Sequence, residues 1–162
     1  MIEIRGLSVR QPWAACIASG RKTTENRTWP TRYRGPVLIH AAQAVDTDAL
    51  QISARREHMW RALAADPTLV HVRGAVIAIA RLTDCHLEDH QGCCAPWGET
   101  GRGIWHWTLQ DVVKLSSPVP CKGRLGLWIP DGGLMAALRE PLGLTDAVLA
   151  EYTLTAAAKA AR

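Results

Sequence analysis

Phenylalanine is absent and tyrosine occurs only twice, yet tryptophan occurs seven times. Nearly all the aromatic surface is therefore indole, a wide apolar face with one donor that suits a core and equally suits stacking on a base. No apolar run approaches the roughly 20 residues of a membrane-spanning helix, so no membrane partner is expected. The opening Met-Ile-Glu-Ile-Arg-Gly lacks the basic stretch and apolar run of a secretory leader, and a cytoplasmic location is expected. No glycine-rich phosphate loop and no Gly-x-Ser-x-Gly elbow occur. Charge of one sign is not in strong excess: 19 Lys and Arg against 15 Asp and Glu leave +4, which permits an anionic partner such as RNA without requiring one. The five cysteines are an odd number and, without a leader, are read as reduced thiols.

What is present is a globular chain. Its 162 residues suit one domain, expected over residues 1–131, with a helical extension over 132–162. Leu7-Ser8-Val9 reads as a strand. Trp13, Cys16 and Ile17 form an apolar stripe on a short helix opened by Pro12 and ended by Gly20. Residues 22–29 read as a strand with Glu25, Arg27 and Trp29 on one face and Thr24, Asn26 and Thr28 on the other. Val37 to Ala41 is an apolar strand containing His40. Asp46 or Thr47 is expected to cap a helix reaching Ala64, with Ile52, Met59, Trp60 and Leu63 as a partial core stripe. Residues 74–82 alternate small and large side chains, as a curved sheet requires. Residues 86–102 read as a long irregular loop, 104–109 and 125–129 as strands, and Pro118 and Pro120 as marks of a sheet edge. Thr145 would cap a final helix. The order of elements predicts an α+β domain on a small curved sheet.

Chemistry concentrates between Lys22 and Arg27. A lysine beside a carboxylate can serve as an acid/base pair, and Lys22 with Arg27 can hold a phosphate while Glu25 orients them or accepts from a base amino group. A solvated strand edge with paired charges is the plainer alternative. Arg10 and Gln11 precede a helix start, where free amides favour an anion; Arg10 could add a bidentate contact and Gln11 could read a base edge, or else serve as a cap. Trp29 is the best stacking candidate and Tyr33 a weaker one. Trp13, Trp60, Trp107 and Trp128 read as core, and His40 as a core histidine before a ligand. Cys85, His86, His90, Cys93 and Cys94 are dense enough to suggest zinc, but the spacing matches no pair of Cys-x-x-Cys knuckles and adjacent cysteines rarely share an ion, so a metal-free loop is expected. No cofactor is expected. Asp46 and Asp48 read as helix-start residues.

Three ordered motifs add to this reading: Leu7-Ser8-Val9-Arg10-Gln11-Pro12-Trp13-Ala14, then Gly20-x-Lys22-x-x-Glu25-x-Arg27, then Tyr33-Arg34-Gly35-Pro36-Val37-Leu38-Ile39-His40-Ala41. Together they resemble the ASCH domain family of the PUA-like superfold, closely over residues 5–41 and more loosely as far as Leu127-Trp128. The resemblance implies a small β-barrel with flanking helices and a cleft beside the first helix. It implies binding of RNA or of a nucleotide or modified nucleobase there, by Arg10, Gln11, Trp13, Lys22, Thr24, Glu25, Arg27, Trp29, Tyr33 and His40. Some family members are amidohydrolases of acetylated cytidine and others are linked to RNA cleavage, which makes Lys22 and Glu25 the catalytic candidates if the chain is an enzyme. Lys22 falls on the family's lysine. Glu25 stands where the amidohydrolase branch carries a nucleophilic threonine, although the family's general form has Glu. That branch also uses a later Glu, for which both Glu88 and Glu99 are candidates. A protein-interaction module acting through the Ala-rich tail is a third reading.

Overall fold

The first helix has no polar face. Trp-Ala-Ala-Cys-Ile-Ala at 13–18 is hydrophobic all round, and such a helix is stable only when covered on every side. All six residues are buried, and a curled sheet does the covering. The computed structural model describes residues 3–49, 51 and 53–143. In chain order they form β1 (Arg5–Gln11), α1 (Trp13–Ala18), β2 (Thr24–Arg27), β3 (Gly35–Val45), α2 (Ser53–Leu63), a 3-10 turn (Pro67–His71), β4 (Ala75–Leu87), β5 (Trp105–Pro120), β6 (Leu127–Trp128) and α3 (Gly132–Ala137). Among these elements none is a helix long and apolar enough to cross a membrane.

The six strands form one sheet in the order β2-β5-β4-β3-β1-β6. β1 and β3 run parallel, and the other pairs are antiparallel. The β4–β5 ladder shifts register at Val76/Ala78, Ile79/Arg81 and Leu82/Asp84. Irregularities of that kind bend a strand and raise its twist. The bend is large enough for Arg27 on β2 to donate to the Ser8 carbonyl on β1 at 2.8 Å, across the gap spanned in the sheet by β5, β4 and β3. The result is a half-barrel with α1 inside.

Alternation sorts the core. Ile39 and Ile77 face α1 together with Leu7, Val9, Trp107 and Leu109. Their neighbours Leu38 and Val76 face the opposite side, where Ile4, Leu115, Trp128, the α3 residues Leu134 and Met135, and Leu138 at the end of that helix pack. Gly6 admits the Trp128 indole directly onto its backbone: a Cβ there would sit 2.3 Å from the ring. Asp131 caps α3 by accepting from the Leu134 amide at 2.9 Å. The helix expected after Thr145 lies outside the described residues.

Two local expectations are corrected. The helix expected from Asp46 or Thr47 begins at Ser53, because Asp46 is committed elsewhere: one oxygen accepts from the Asp48 amide and the other from Trp13 Nε1 at 2.7 Å. Trp60 is 56% exposed; α2 buries Met59, Ala62 and Leu63 instead, and Trp60 lies one position off that stripe. Of the two roles open to Gln11, the geometry matches the cap. Gln11 is wholly buried, its Nε2 donates to the carbonyls of Leu69 and Val72 (both 3.0 Å) and its Oε1 accepts from the Ala15 amide at 3.1 Å. It caps α1 and ties that helix to the 3-10 turn, so the amide offered at this helix start is already taken.

Replacing Gln11 with Ala strands the buried Ala15 amide, a loss that normally costs about 1–3 kcal/mol, and takes one of the donors from each of the Leu69 and Val72 carbonyls. Gln11→Ala is expected to lose roughly 2–4 kcal/mol in urea unfolding, whereas a loss under about 0.5 kcal/mol, as at an ordinary surface site, would contradict the capping role.

Candidate functional site

β2 delivers its charges because the chain before it is fixed to α1. Gly20 adopts φ +78°, a left-handed conformation that glycine takes without strain. Its amide donates to the Ile17 carbonyl, and the Lys22 amide donates to that of Cys16 at 3.1 Å. The helix C-terminus thereby sets the direction of Lys22. The side chain runs inward, 3% exposed. Lys22 Nζ donates to the Thr24 carbonyl and, at 3.0 Å, to Glu25 Oε2. Glu25 is 7% exposed, and its other oxygen accepts from Arg27 NH2 at 3.1 Å. The Lys22 ammonium also lies 6.0 Å from the Trp13 ring centroid, a cation–π distance.

Burial alone would raise the Glu25 pKa. The Lys22 and Arg27 charges and their hydrogen bonds outweigh burial and hold this carboxyl below its ordinary value. Glu25 is therefore a carboxylate at neutral pH. One carboxylate shared by two cations leaves a surplus positive charge at this spot.

These groups border a cleft of about 540 Å³. Of the residues expected at a site, Arg10, Trp13, Lys22, Glu25, Arg27 and Trp29 line it. Arg10 is exposed. Arg27 Nε is buried without a hydrogen-bond partner among the described residues. Trp29 is half-buried, its ring edge-on to Trp107 with centroids 4.6 Å apart, and the Trp107 indole nitrogen donates to the Trp29 carbonyl at 3.3 Å.

Four expected residues do not line the cleft, each for a physical reason. Gln11 is spent on α1, as above. The Thr24 side chain is buried, and only its carbonyl serves, as a Lys22 acceptor. The Tyr33 hydroxyl lies against the carbonyls of Glu3 and, at 2.7 Å, Pro36. His40 is buried, with Nε2 donating to the Cys121 carbonyl at 3.1 Å. Burial holds the His40 imidazole below its ordinary pKa, opposed by that hydrogen bond.

The cleft also contains residues that the sequence reading did not select. Asn26 fixes the wall contributed by the loop between β4 and β5: its Nδ2 donates to the Trp97 carbonyl at 2.9 Å and its Oδ1 accepts from the Glu99 amide at 2.8 Å. Arg55 on α2 reaches the same loop, donating to the carbonyls of Pro96 and Gly98 and to Glu99 Oε1 at 3.0 Å. Such pairings span more than 40 residues and carry no local signal. Of the two later glutamates, Glu99 lines the cleft, while Glu88 is buried in the loop, holding the His90 and Gly101 amides.

Removing one partner of a buried ion pair costs roughly 3–5 kcal/mol, since the other charge is left uncompensated. Glu25→Gln is expected to destabilise the chain by about that amount at pH 7. The sign with pH follows from the depressed folded pKa: the carboxylate's contribution is complete above the unfolded Glu value and is lost as pH falls toward the folded one. The gap in unfolding free energy between wild type and Glu25→Gln should therefore narrow on acidification below about pH 4, and a gap that widens there would refute the ion-pair assignment.

Residues 7–117 match the family model of the ASCH domain. No curated protein matches the sequence. Among solved structures, the ASCH protein from Zymomonas mobilis aligns at 15% identity with a TM-score of 0.49, covering 83% of this chain and 92% of that one. Two variants of the same Zymomonas protein align at 15% identity over 83% of this chain, with TM-scores of 0.49 and 0.46 and coverage of 95% and 93% of their own length. The curled mixed sheet with flanking helices is the α+β arrangement expected from the sequence, and the family match spans most of the strands and every residue lining the cleft except Leu125. The chain belongs to the ASCH domain family.

Proposed function

We propose that the cleft binds RNA or a nucleotide-like ligand through phosphate and base stacking. The observation that carries the reading is the unspent cationic capacity around one committed carboxylate. Glu25 has both oxygens engaged by Lys22 and Arg27, so its part in this reading is to orient the two cations. The Arg27 side chain keeps 22% of its surface exposed and lines the cleft. Arg10 stands exposed at the rim. A phosphate group would meet the exposed part of the Arg27 guanidinium and the surplus charge, and guanidinium groups suit that role because they present planar, paired donors. Trp29 offers an indole face on the same side. The five free cysteines fit the cytoplasm, where such ligands are abundant.

A second reading draws on the 3.0 Å approach of Lys22 to Glu25. With Glu25 ionised, the pair would act with the carboxylate as base and the ammonium as the charge that stabilises a developing oxyanion. The chain would then hydrolyse an acylated cytidine or cleave RNA.

Anisotropy titrations with short single-stranded RNA test the first reading. Affinity is expected to fall with salt at a log–log slope of about −0.7 per phosphate neutralised, and Arg10→Ala and Arg27→Ala should each flatten the slope by about that unit. Trp29→Leu should weaken binding by about 1–3 kcal/mol without changing the slope. Affinity that stays level with salt would sink the phosphate reading. Product analysis with acetylated cytidine and with RNA tests the second: turnover abolished in Lys22→Ala supports it, and turnover equal to wild type removes it.

A further inference from the structure

The loop between β4 and β5 carries a second cluster of chemistry, away from the Lys22–Glu25 pair. His86 on β4 and His106 on β5 stand directly opposite each other in the antiparallel ladder, with ring centroids 5.5 Å apart. Cys93 and Cys94 come down onto them from the loop. Cys93 Sγ is 3.2 Å from His106 Nδ1, and Cys94 Sγ is 3.5 Å from His86 Nε2. The four donor atoms all lie within 4.8 Å of one another.

The second nitrogen of each ring decides what the first can do. His106 Nε2 faces the Glu99 carbonyl at 2.8 Å. A carbonyl only accepts, so Nε2 carries the proton and Nδ1 presents a lone pair to Cys93. His86 Nδ1 faces Asp84 Oδ2 at 2.6 Å, so its Nε2 presents a lone pair to Cys94. Imidazoles that ligate metals are held in this way, by a carbonyl or carboxylate on the far nitrogen.

Backbone geometry explains how neighbouring cysteines reach one point. Successive side chains on an extended chain diverge. Cys94 instead has φ 62°, a left-handed conformation that a residue with a Cβ seldom adopts and that clusters at functional sites. Gly98 leaves room against the cluster: a Cβ there would lie 2.6 Å from the Cys93 carbonyl and 2.8 Å from the His106 ring. The same strand geometry sends Cys85 to the other face, where its sulfur accepts from the Thr31 amide at 3.4 Å. His90 is turned to Glu88, 2.7 Å away.

We infer that His86, Cys93, Cys94 and His106 form a Cys2His2 zinc site that clamps the β4–β5 loop to the sheet. Zinc bonds of about 2.3 Å to sulfur and 2.0–2.1 Å to nitrogen imply donor separations of about 3.3–3.8 Å in a tetrahedron, close to the two separations above. Four protein ligands leave no open position, so the role is structural. The clamped loop carries Trp97 and Glu99 to the cleft, and Asn26, which holds that loop from β2, pairs with His106 in the sheet.

The test uses the full chain purified under reducing conditions. Elemental analysis is expected to find about one zinc ion per chain. Cobalt added to chelator-stripped protein should give the visible bands of a tetrahedral ion and an intense thiolate-to-cobalt charge-transfer band, saturating at one equivalent and bleached by zinc. Cys93→Ser and Cys94→Ser should each remove about half of the charge-transfer band, one of two thiolates being lost. Cys85→Ser and Cys121→Ser should leave it intact. Chelation should lower the melting temperature of wild type by more than that of Cys94→Ser. A wild-type chain with neither bound zinc nor a thiolate–cobalt band overturns the assignment, as does a band that survives in Cys94→Ser and disappears in Cys85→Ser. In either case the four groups serve only as thiol-to-imidazole hydrogen bonds. RNA titrations on the same chain bear on the cleft alone, so the two readings fail separately.

Discussion

Taking the Lys22 ammonium and the Glu25 carboxylate out of water costs several kcal/mol per ion, and the mutual attraction recovers this only when the remaining donors and acceptors are also met. Here they are met from three directions. The Thr24 carbonyl shares Lys22, Arg27 takes the second Glu25 oxygen, and Arg27 goes on to the Ser8 carbonyl. That chain of contacts runs from the end of α1 through β2 to β1. It therefore joins the helix inside the half-barrel to β2 at one margin of the curled sheet and to β1, one strand in from the other margin. The cleft exists because the margins are held near each other but not sealed by a ladder.

The wall opposite is a loop, and loops need anchors. Asn26 gives it two hydrogen bonds from the sheet edge, Arg55 gives it three from α2, and Glu88 gathers its two ends. His86 and His106 add contacts from the floor of the sheet. A segment with little periodicity and no helix or strand of its own is thus fixed to the sheet and to α2 through side chains, with backbone turns inside it and the Glu88 amide donating to the Ile104 carbonyl at its ends. Its order depends on groups that sit far away in sequence.

This accounts for what could be read from the chain and what could not. The strand centres at 7–9, 37–41 and 74–82 and the short helix at 13–18 follow local rules, apolar alternation and an all-apolar hexapeptide, and the sequence displays them, although the strands themselves run further, over 5–11, 35–45 and 75–87. The Lys22-to-Arg27 segment was legible because its charges alternate on a strand and the ASCH motifs place them. Gln11 left two roles open because a buried amide with three partners and a base-reading amide look alike in sequence; only burial separates them. Trp60 misled because a one-position offset on a helix turns core into surface. The Cys/His cluster was visible at His86, Cys93 and Cys94, but His106 enters through sheet register, and a composition window centred on the loop cannot contain it.

The margins of the sheet have a consequence for how the chain behaves in company. β2 and β6 are only 4 and 2 residues long, while the 16-residue β5 continues well past β2. A long bare strand invites a neighbour to add on and start a fibre. On this one, Asp111 breaks the extended backbone at φ 50°, Lys114 extends a charge to Asp66, Ser116 is met by the Pro141 carbonyl, and Pro118 and Pro120 remove two amides. The half-barrel can stay open on its cleft side without offering its backbone as a template to other copies.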